Sequence, residues 1–244
     1  MHRLMIRGLL ALAFSLVYTS ISTAQMQMPE KPTNLQVFPK DISHDDLIQA
    51  MRGFSFSLGV RCTHCHVEKG DKMDFASDAK KEKDIARTML KMIGNINHEY
   101  IDKLGVESPI QVQCVTCHHG LARPKTINAV MADTMEKKDL TATITEYKDL
   151  RKQYYGSGAY DFSETPLNIL TESLLKQKKT KEAVAVMEMN MEYNTPPSGW
   201  ALHLLAMSHQ ANGDTDKARA DLERILQANP NDKWAKEQME GLKK

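Results

Sequence analysis

Two short strings constrain this chain more than anything else in it: Arg61-Cys62-Thr63-His64-Cys65-His66 and Cys114-Val115-Thr116-Cys117-His118, each containing a CxxCH. The chain has four cysteines, and the two motifs use all of them. Two thiols separated by two residues can form thioether bonds to the two vinyl groups of one porphyrin, and the histidine that follows can then reach the iron from the same side. The spacing therefore predicts two covalent haem c groups, attached through Cys62, Cys65, Cys114 and Cys117, with His66 and His118 as axial ligands of the irons. Other readings of CxxC fit less well. A thioredoxin-like pair would occur once, near a βαβ pattern that this sequence does not show. A four-cysteine zinc site would place its halves roughly 15 to 20 residues apart, and the two pairs here are much further separated. Two structural disulfides would suit an oxidising compartment but would leave His66 and His118 without a role.

Residues 1–24 read as an export signal: basic Arg3 and Arg7, an apolar run from Leu9 to Tyr18, and a small-residue ending Ser22-Thr23-Ala24. The run is shorter than the ~20 residues that span a bilayer, which favours cleavage over retention as an anchor. In a bacterium this address is the periplasm, where apocytochromes receive haem. Losing Arg3 and Arg7 with the signal takes the formal charge from +1 to −1. A nearly neutral chain argues against nucleic-acid binding or broad membrane-surface binding, both of which need a strong basic excess.

Residues 25–40, with Pro29, Pro32 and Pro39, predict an extended entry segment. A helix follows, opened by Ser43 with Asp46 three residues on, carrying Leu47, Met51, Phe54 and Leu58 at helical spacing and stopping at Gly59. A second helix is expected from Asp78, with Ile85, Met89, Met92 and Ile96 on one face and Gly105 as its cap. Each CxxCH thus follows an amphipathic helix that carries methionine, the geometry a second axial ligand requires. Methionine at helical spacing is more often core filler, so the spacing alone leaves Met51, Met89 and Met92 open between packing and ligation.

Residues 35–124 resemble the photosynthetic reaction-centre cytochrome c subunit family in specific strings. Met51-Arg-Gly-Phe-Ser-Phe-Ser-Leu-Gly-Val-Arg-Cys62 is similar to the family's methionine-bearing helix running into CxxCH. Phe75-Ala-Ser-Asp78, Ile85-Ala-Arg-Thr-Met89-Leu-Lys-Met92, Ile96-Asn97 and Val115-Thr-Cys117-His118-His119-Gly120 with Pro124 resemble the rest of one two-haem unit. The resemblance implies that Met51 is the sixth ligand of the first iron and Met89 that of the second, with Met92, one turn along, as a fallback; His98 is a rival for a distal position, where bis-histidine ligation would lower the potential. Family members carry two such units and four haems, whereas this chain has one unit and two CxxCH motifs. Of the other polar groups, His64 suits a loop role, while His119 and Arg123 are candidates for pairing with haem propionates.

Residues 128–155 read as one further helix, and Gly156-Ser157-Gly158 as a boundary. Beyond it Leu167 and Leu202, Leu170 and Leu205, Ala183 and Ala218, and Met187 and Leu222 are each 35 residues apart, close to the ~34-residue tetratricopeptide period. Trp200 lies off the consensus aromatic position and His209 replaces its tyrosine. The expected fold is all-α, a multihaem c-type cytochrome domain followed by a short tetratricopeptide-like repeat domain. The expected division is signal 1–24, dihaem domain 25–127, connecting helix and linker 128–160, and repeats 161–244.

This organisation predicts an electron carrier rather than an enzyme. Both axial positions filled by protein suit one-electron exchange with redox protein partners, a membrane electron-transfer complex among the candidates, and neither a small-molecule substrate nor nucleic acid is expected. The alternative is a peroxidase-like dihaem enzyme with one open coordination site, for which no distal acid or base can be named.

Overall fold

A computed structural model describes residues 30–242 of the chain; the expected export signal lies outside them. The entry segment leads to helix α1, His44–Leu58. Ser43 caps it by accepting the Asp46 backbone N–H at 3.1 Å, and Asp45 and Asp46 place negative charge in its first turn, where the helix dipole favours it. Gly59 ends it at φ +65°, a left-handed position that side chains resist.

A 3-10 turn over Cys62–His64 follows, then a short antiparallel hairpin, β1 (Val67–Lys69) with β2 (Lys72–Asp74). The sequence reading did not anticipate this hairpin, although Lys69-Gly70-Asp71, with Gly70 at φ +63°, is a turn signal. Helix α2 runs Lys81–Glu99. It stops short of Gly105 because the chain tightens into a 3-10 turn at Ile101–Lys103, with Gly105 adopting the left-handed bend beyond it. The second motif forms the short helix α3, Cys114–His118.

The single helix expected over 128–155 is two helices, α4 (Ile127–Lys137) and α5 (Leu140–Tyr154). Asp139 divides them: its carboxylate accepts the Ala142 backbone N–H at 2.7 Å and starts α5 as an N-cap. Then come α6 (Glu164–Lys176), α7 (Thr180–Tyr193), α8 (Gly199–Asn212), α9 (Thr215–Ala228) and α10 (Lys233–Gly241). Helices α6–α7 and α8–α9 are the two repeat pairs, and α10 closes the stack. All eight residues of the 35-residue correspondence are buried, and each leucine or methionine among them contributes about 1.5–3 kcal/mol on burial. The main apolar cluster joins Ile127, Met131 and Tyr147 of α4–α5 to Leu167, Leu170 and Val186 of α6–α7, so the core passes across the Gly156–Gly158 turn. Its aromatic edge is sealed by the Arg151 guanidinium, 4.2 Å from the Tyr155 ring centre and 4.7 Å from that of Tyr193. No helix among the described residues is long and apolar enough to cross a membrane.

Burial is distributed unevenly. Among the described residues before Ile127, the only buried apolar side chains are Leu47 and Leu121. What ties this half together is a backbone crossing. The Gly120 N–H donates to the Ser57 carbonyl at 2.9 Å, bringing the end of α3 onto the end of α1. A side chain at Gly59 would overlap the Gly120 carbonyl.

Replacing Gly59 by alanine is expected to destabilise this half by about 1–3 kcal/mol from the left-handed backbone alone, with the Gly120 overlap adding to it; denaturant unfolding followed by circular dichroism measures the loss. In the repeats, Asp232 caps α10 through the Ala235 N–H at 2.9 Å, and that bond, with His203 adding to it against a desolvation penalty, holds its carboxyl below the usual range. A depressed carboxyl stabilises the fold above its unfolded pKa of about 3.9, and the benefit is lost as pH falls through the lower folded value. Asp232→Ala should therefore cost about 1 kcal/mol at pH 7, and thermal melts should show the gap to the parent closing as the pH is taken below about 4.

Candidate haem sites

The face of α1 carrying Met51, Phe54 and Leu58 opens onto a concave pocket. Cys62, Cys65 and His66 form another wall, Phe75 a third, and Ala86 and Leu90 of α2 a fourth. The structure thus brings Met51, Cys62, Cys65 and His66 together around one largely apolar space.

The four cysteines stand as free thiols, Cys62 and Cys117 exposed and Cys65 and Cys114 half-buried. Burial pushes the Cys65 and Cys114 thiols up, with Glu82 adding to the shift at Cys65 and Cys117 at Cys114. The ring of His66 meets Phe75 edge-on at 5.1 Å. Its Nδ1 is buried without a well-formed hydrogen bond. Burial first, and the Lys83 cation second, push its pKa down, opposed in part by the Phe75 backbone close by. A neutral imidazole is the form that binds metal. An apolar cleft with two thiols, a neutral imidazole and a thioether fits a covalently attached haem.

The second motif is built differently. Gln113 and Thr116 form a reciprocal capping box that fixes α3. His118 Nδ1 lies 2.7 Å from the Leu121 carbonyl. Donation there puts the proton on Nδ1 and leaves the Nε2 lone pair for a metal, the arrangement typical of ligating histidines. His119 follows in the left-handed region at φ +47° and is exposed, as are Cys117 and Arg123. Cys114 is half-buried.

Helix α2 presents two faces. Lys83, Ala86, Arg87 and Leu90 line the first pocket. Of the stripe expected from the sequence, Ile85, Met89 and Met92 point outward, with Met89 39% and Met92 45% exposed, while Ile96 is half-buried. Met89 and Met92 are not among the residues of the first pocket, and the structure does not enclose either with Cys114, Cys117 and His118 as it encloses Met51 with its motif. Donor chemistry at the second motif fits a haem as well, on a more open surface. His98, the fallback ligand, is exposed and lies 3.0 Å from Asp102. His64 is exposed on the 3-10 turn.

The approach to the second motif is held in register by Asn97. Its amide donates to the Val112 carbonyl at 2.9 Å and accepts the Val112 N–H at 2.8 Å, a two-way bond that copies strand pairing. Gln111 beside it donates to Asp102 at 2.8 Å.

Sequence reasoning also passed over a cluster behind the first pocket. Asp78 accepts Arg87 at 2.8 Å, Asn34 at 2.9 Å and Gln36 at 3.2 Å, and pairs with Lys83 at 2.9 Å. The Arg87 guanidinium foremost, then Asn34 and Lys83, hold the Asp78 carboxyl well below the usual carboxylate range. Lys83 sits in the charged run Lys80-Lys81-Glu82-Lys83, which reads as a solvated face, and only its place on the pocket side of α2 distinguishes it.

Helices, the two CxxCH motifs and the repeat pairs define an all-α cytochrome c domain followed by tetratricopeptide-type repeats. A model of the photosynthetic reaction centre cytochrome C subunit matches residues 30–196, more than half of the chain, and the chain belongs to that family, one of electron-transfer cytochromes with covalently bound haem. A tetratricopeptide repeat model matches residues 199–239, the span of α8, α9 and most of α10. Among curated relatives, cytochrome c-554 of Chloroflexus aurantiacus is 40% identical over 65 residues, covering 27% of this chain and 15% of its own. The photosynthetic reaction center cytochrome c subunit of Roseobacter denitrificans is 30% identical over 96 residues, covering 38% of this chain and 25% of its own. The chain therefore spans a quarter or less of the length of these relatives. No solved structure matches it.

Asn97→Ala leaves both polar groups of Val112 without their partner, at a cost of about 1–3 kcal/mol if they stay out of water. Hydrogen–deuterium exchange of the peptide spanning 109–116 should quicken in this variant while that of α1 is unchanged.

Proposed function

We propose that this chain is a periplasmic dihaem c-type cytochrome that passes single electrons between redox protein partners. The observation that carries the reading is the pocket that gathers Met51, Cys62, Cys65 and His66. In this reading Cys62 and Cys65 would hold the first haem by thioether bonds, and His66 and Met51 would ligate its iron. Cys114, Cys117 and His118 would hold the second, with Met89 as its further ligand and Met92 and His98 as alternatives. A haem so held would supply one-electron exchange, and ligation by methionine and histidine favours a high potential.

The protein's own residues do the rest. The apolar walls from Phe54, Leu58, Phe75 and Leu90 keep water from the first site. Leu121 fixes the tautomer of His118. The periplasmic address follows from the export-type sequence at residues 1–24. The unit that bears the haems ends near Thr126, and the repeats beyond it serve as a docking module for a redox partner, a membrane electron-transfer complex among the candidates. Ile169, Trp200 and Met207 support that role: they are exposed on the first helices of the two repeat pairs, and Trp200 bridges the pairs by donating to Glu172 at 3.1 Å.

The exposure of Met89 favours a second reading, a peroxidase-like enzyme with an open second iron. Carbon monoxide separates the two. An electron carrier gives a mass of the matured protein corresponding to two covalent haems and a reduced spectrum unmoved by carbon monoxide. A shifted Soret band from one haem selects the enzyme. Met51→Ala should leave both haems attached and lower the potential of one; an unchanged redox titration removes Met51 from the site.

A further inference from the structure

Lys83 is a cation with only 9% of its surface exposed, on the pocket side of α2. Its ammonium donates to the carbonyls of Phe75 at 2.9 Å, Ala76 at 3.1 Å and Ser77 at 2.9 Å, and lies 2.9 Å from the Asp78 carboxylate. A loop staple would account for the hydrogen bonds. It does not account for the arrangement of charge. The side chains of Lys83 and Arg87 are 11% and 13% exposed, whereas those of their acidic partners Asp78 and Asp84 are 39% and 62% exposed. Both cations line the pocket and neither carboxylate does. Water screens the outer, negative ends of these pairs more than the inner, positive ends. The pocket that His66 also lines therefore faces a net positive field.

We propose that Lys83 is a tuning residue that raises the midpoint potential of the haem held by His66. This rests on the reading of His66 as an axial ligand. Oxidised iron carries one more positive charge than reduced iron, so a buried cation beside the proximal histidine disfavours oxidation. Lys83 also occupies the carbonyl of Phe75, the residue whose ring abuts His66. It thereby weakens that oxygen as an acceptor for Nδ1 and limits the electron donation that such a bond would give the ligand. Both effects act in the same direction.

Charge and stapling are separated by two substitutions of opposite sign. In the full-length, haem-loaded protein, spectroelectrochemical titration should show Lys83→Met lowering the potential of one haem, Asp78→Asn raising the potential of that same haem, and Lys83→Arg leaving it close to the parent. The other haem should stay in place throughout. Loss of a staple alone disturbs the same loop in both neutral variants, so shifts of the same sign, or none, overturn the proposal. If Lys83→Met does not mature, Asp78→Asn decides: a rise supports the proposal, and a fall or no change overturns it. His66→Ala tests the underlying reading separately. Loss of one low-spin spectrum in that variant supports His66 ligation; two intact low-spin spectra overturn that reading, and the tuning role with it.

Discussion

The half of the molecule that carries the CxxCH motifs depends on one close backbone crossing, Gly120 over Gly59. Helix α1 bears Met51 at its middle and runs straight into the first motif; α3 is the second motif. A 2.9 Å bond from Gly120 to Ser57 seats one upon the other, and the absence of a side chain at Gly59 permits it. The two motifs lie about fifty positions apart in sequence, and this contact is what makes them one unit. The apolar residues that would form an ordinary core in this half instead line the first pocket or lie exposed along α2.

The repeats follow the opposite rule. Their stability comes from apolar side chains at a fixed period, interlocked between successive helices and continuous with α4–α5. Polar side chains are buried among them at Asn168, Thr171, Asn190 and Ser208, and so is His209, 4% exposed, where the repeat consensus has tyrosine. It is satisfied on one side by Asp221 at 2.6 Å, so the substitution exchanges a hydroxyl for a buried imidazole–carboxylate pair joining α8 to α9. Two kinds of cohesion thus meet near Thr126: a unit organised around a pocket gives way to one organised around periodic packing.

Much of this was legible in the sequence because its signals are local or periodic. Ser43 and Asp46 mark the start of α1, Gly59 marks its end, and the 35-residue correspondence finds the repeat cores. CxxCH spacing and the string around Met51 bring out the first site. The rest depends on contacts that no window contains. Asn97 reaches across fifteen positions to Val112, and Lys83 becomes buried only because residues 75–78 fold back over it. The break at Asp139 was missed because an apolar period continues through it, although aspartate is a good N-cap. Met89 was placed correctly on its stripe, but periodicity cannot tell a stripe that faces protein from one that does not.

Helix α2 walls the first pocket with one face and carries the methionines considered for the second site on the adjacent one. The same helix holds the approach to the second motif through Asn97, so it serves both motifs. A segment ending before α3 would keep the helix that closes the first pocket but lose the Gly120 crossing that seats α3 on α1.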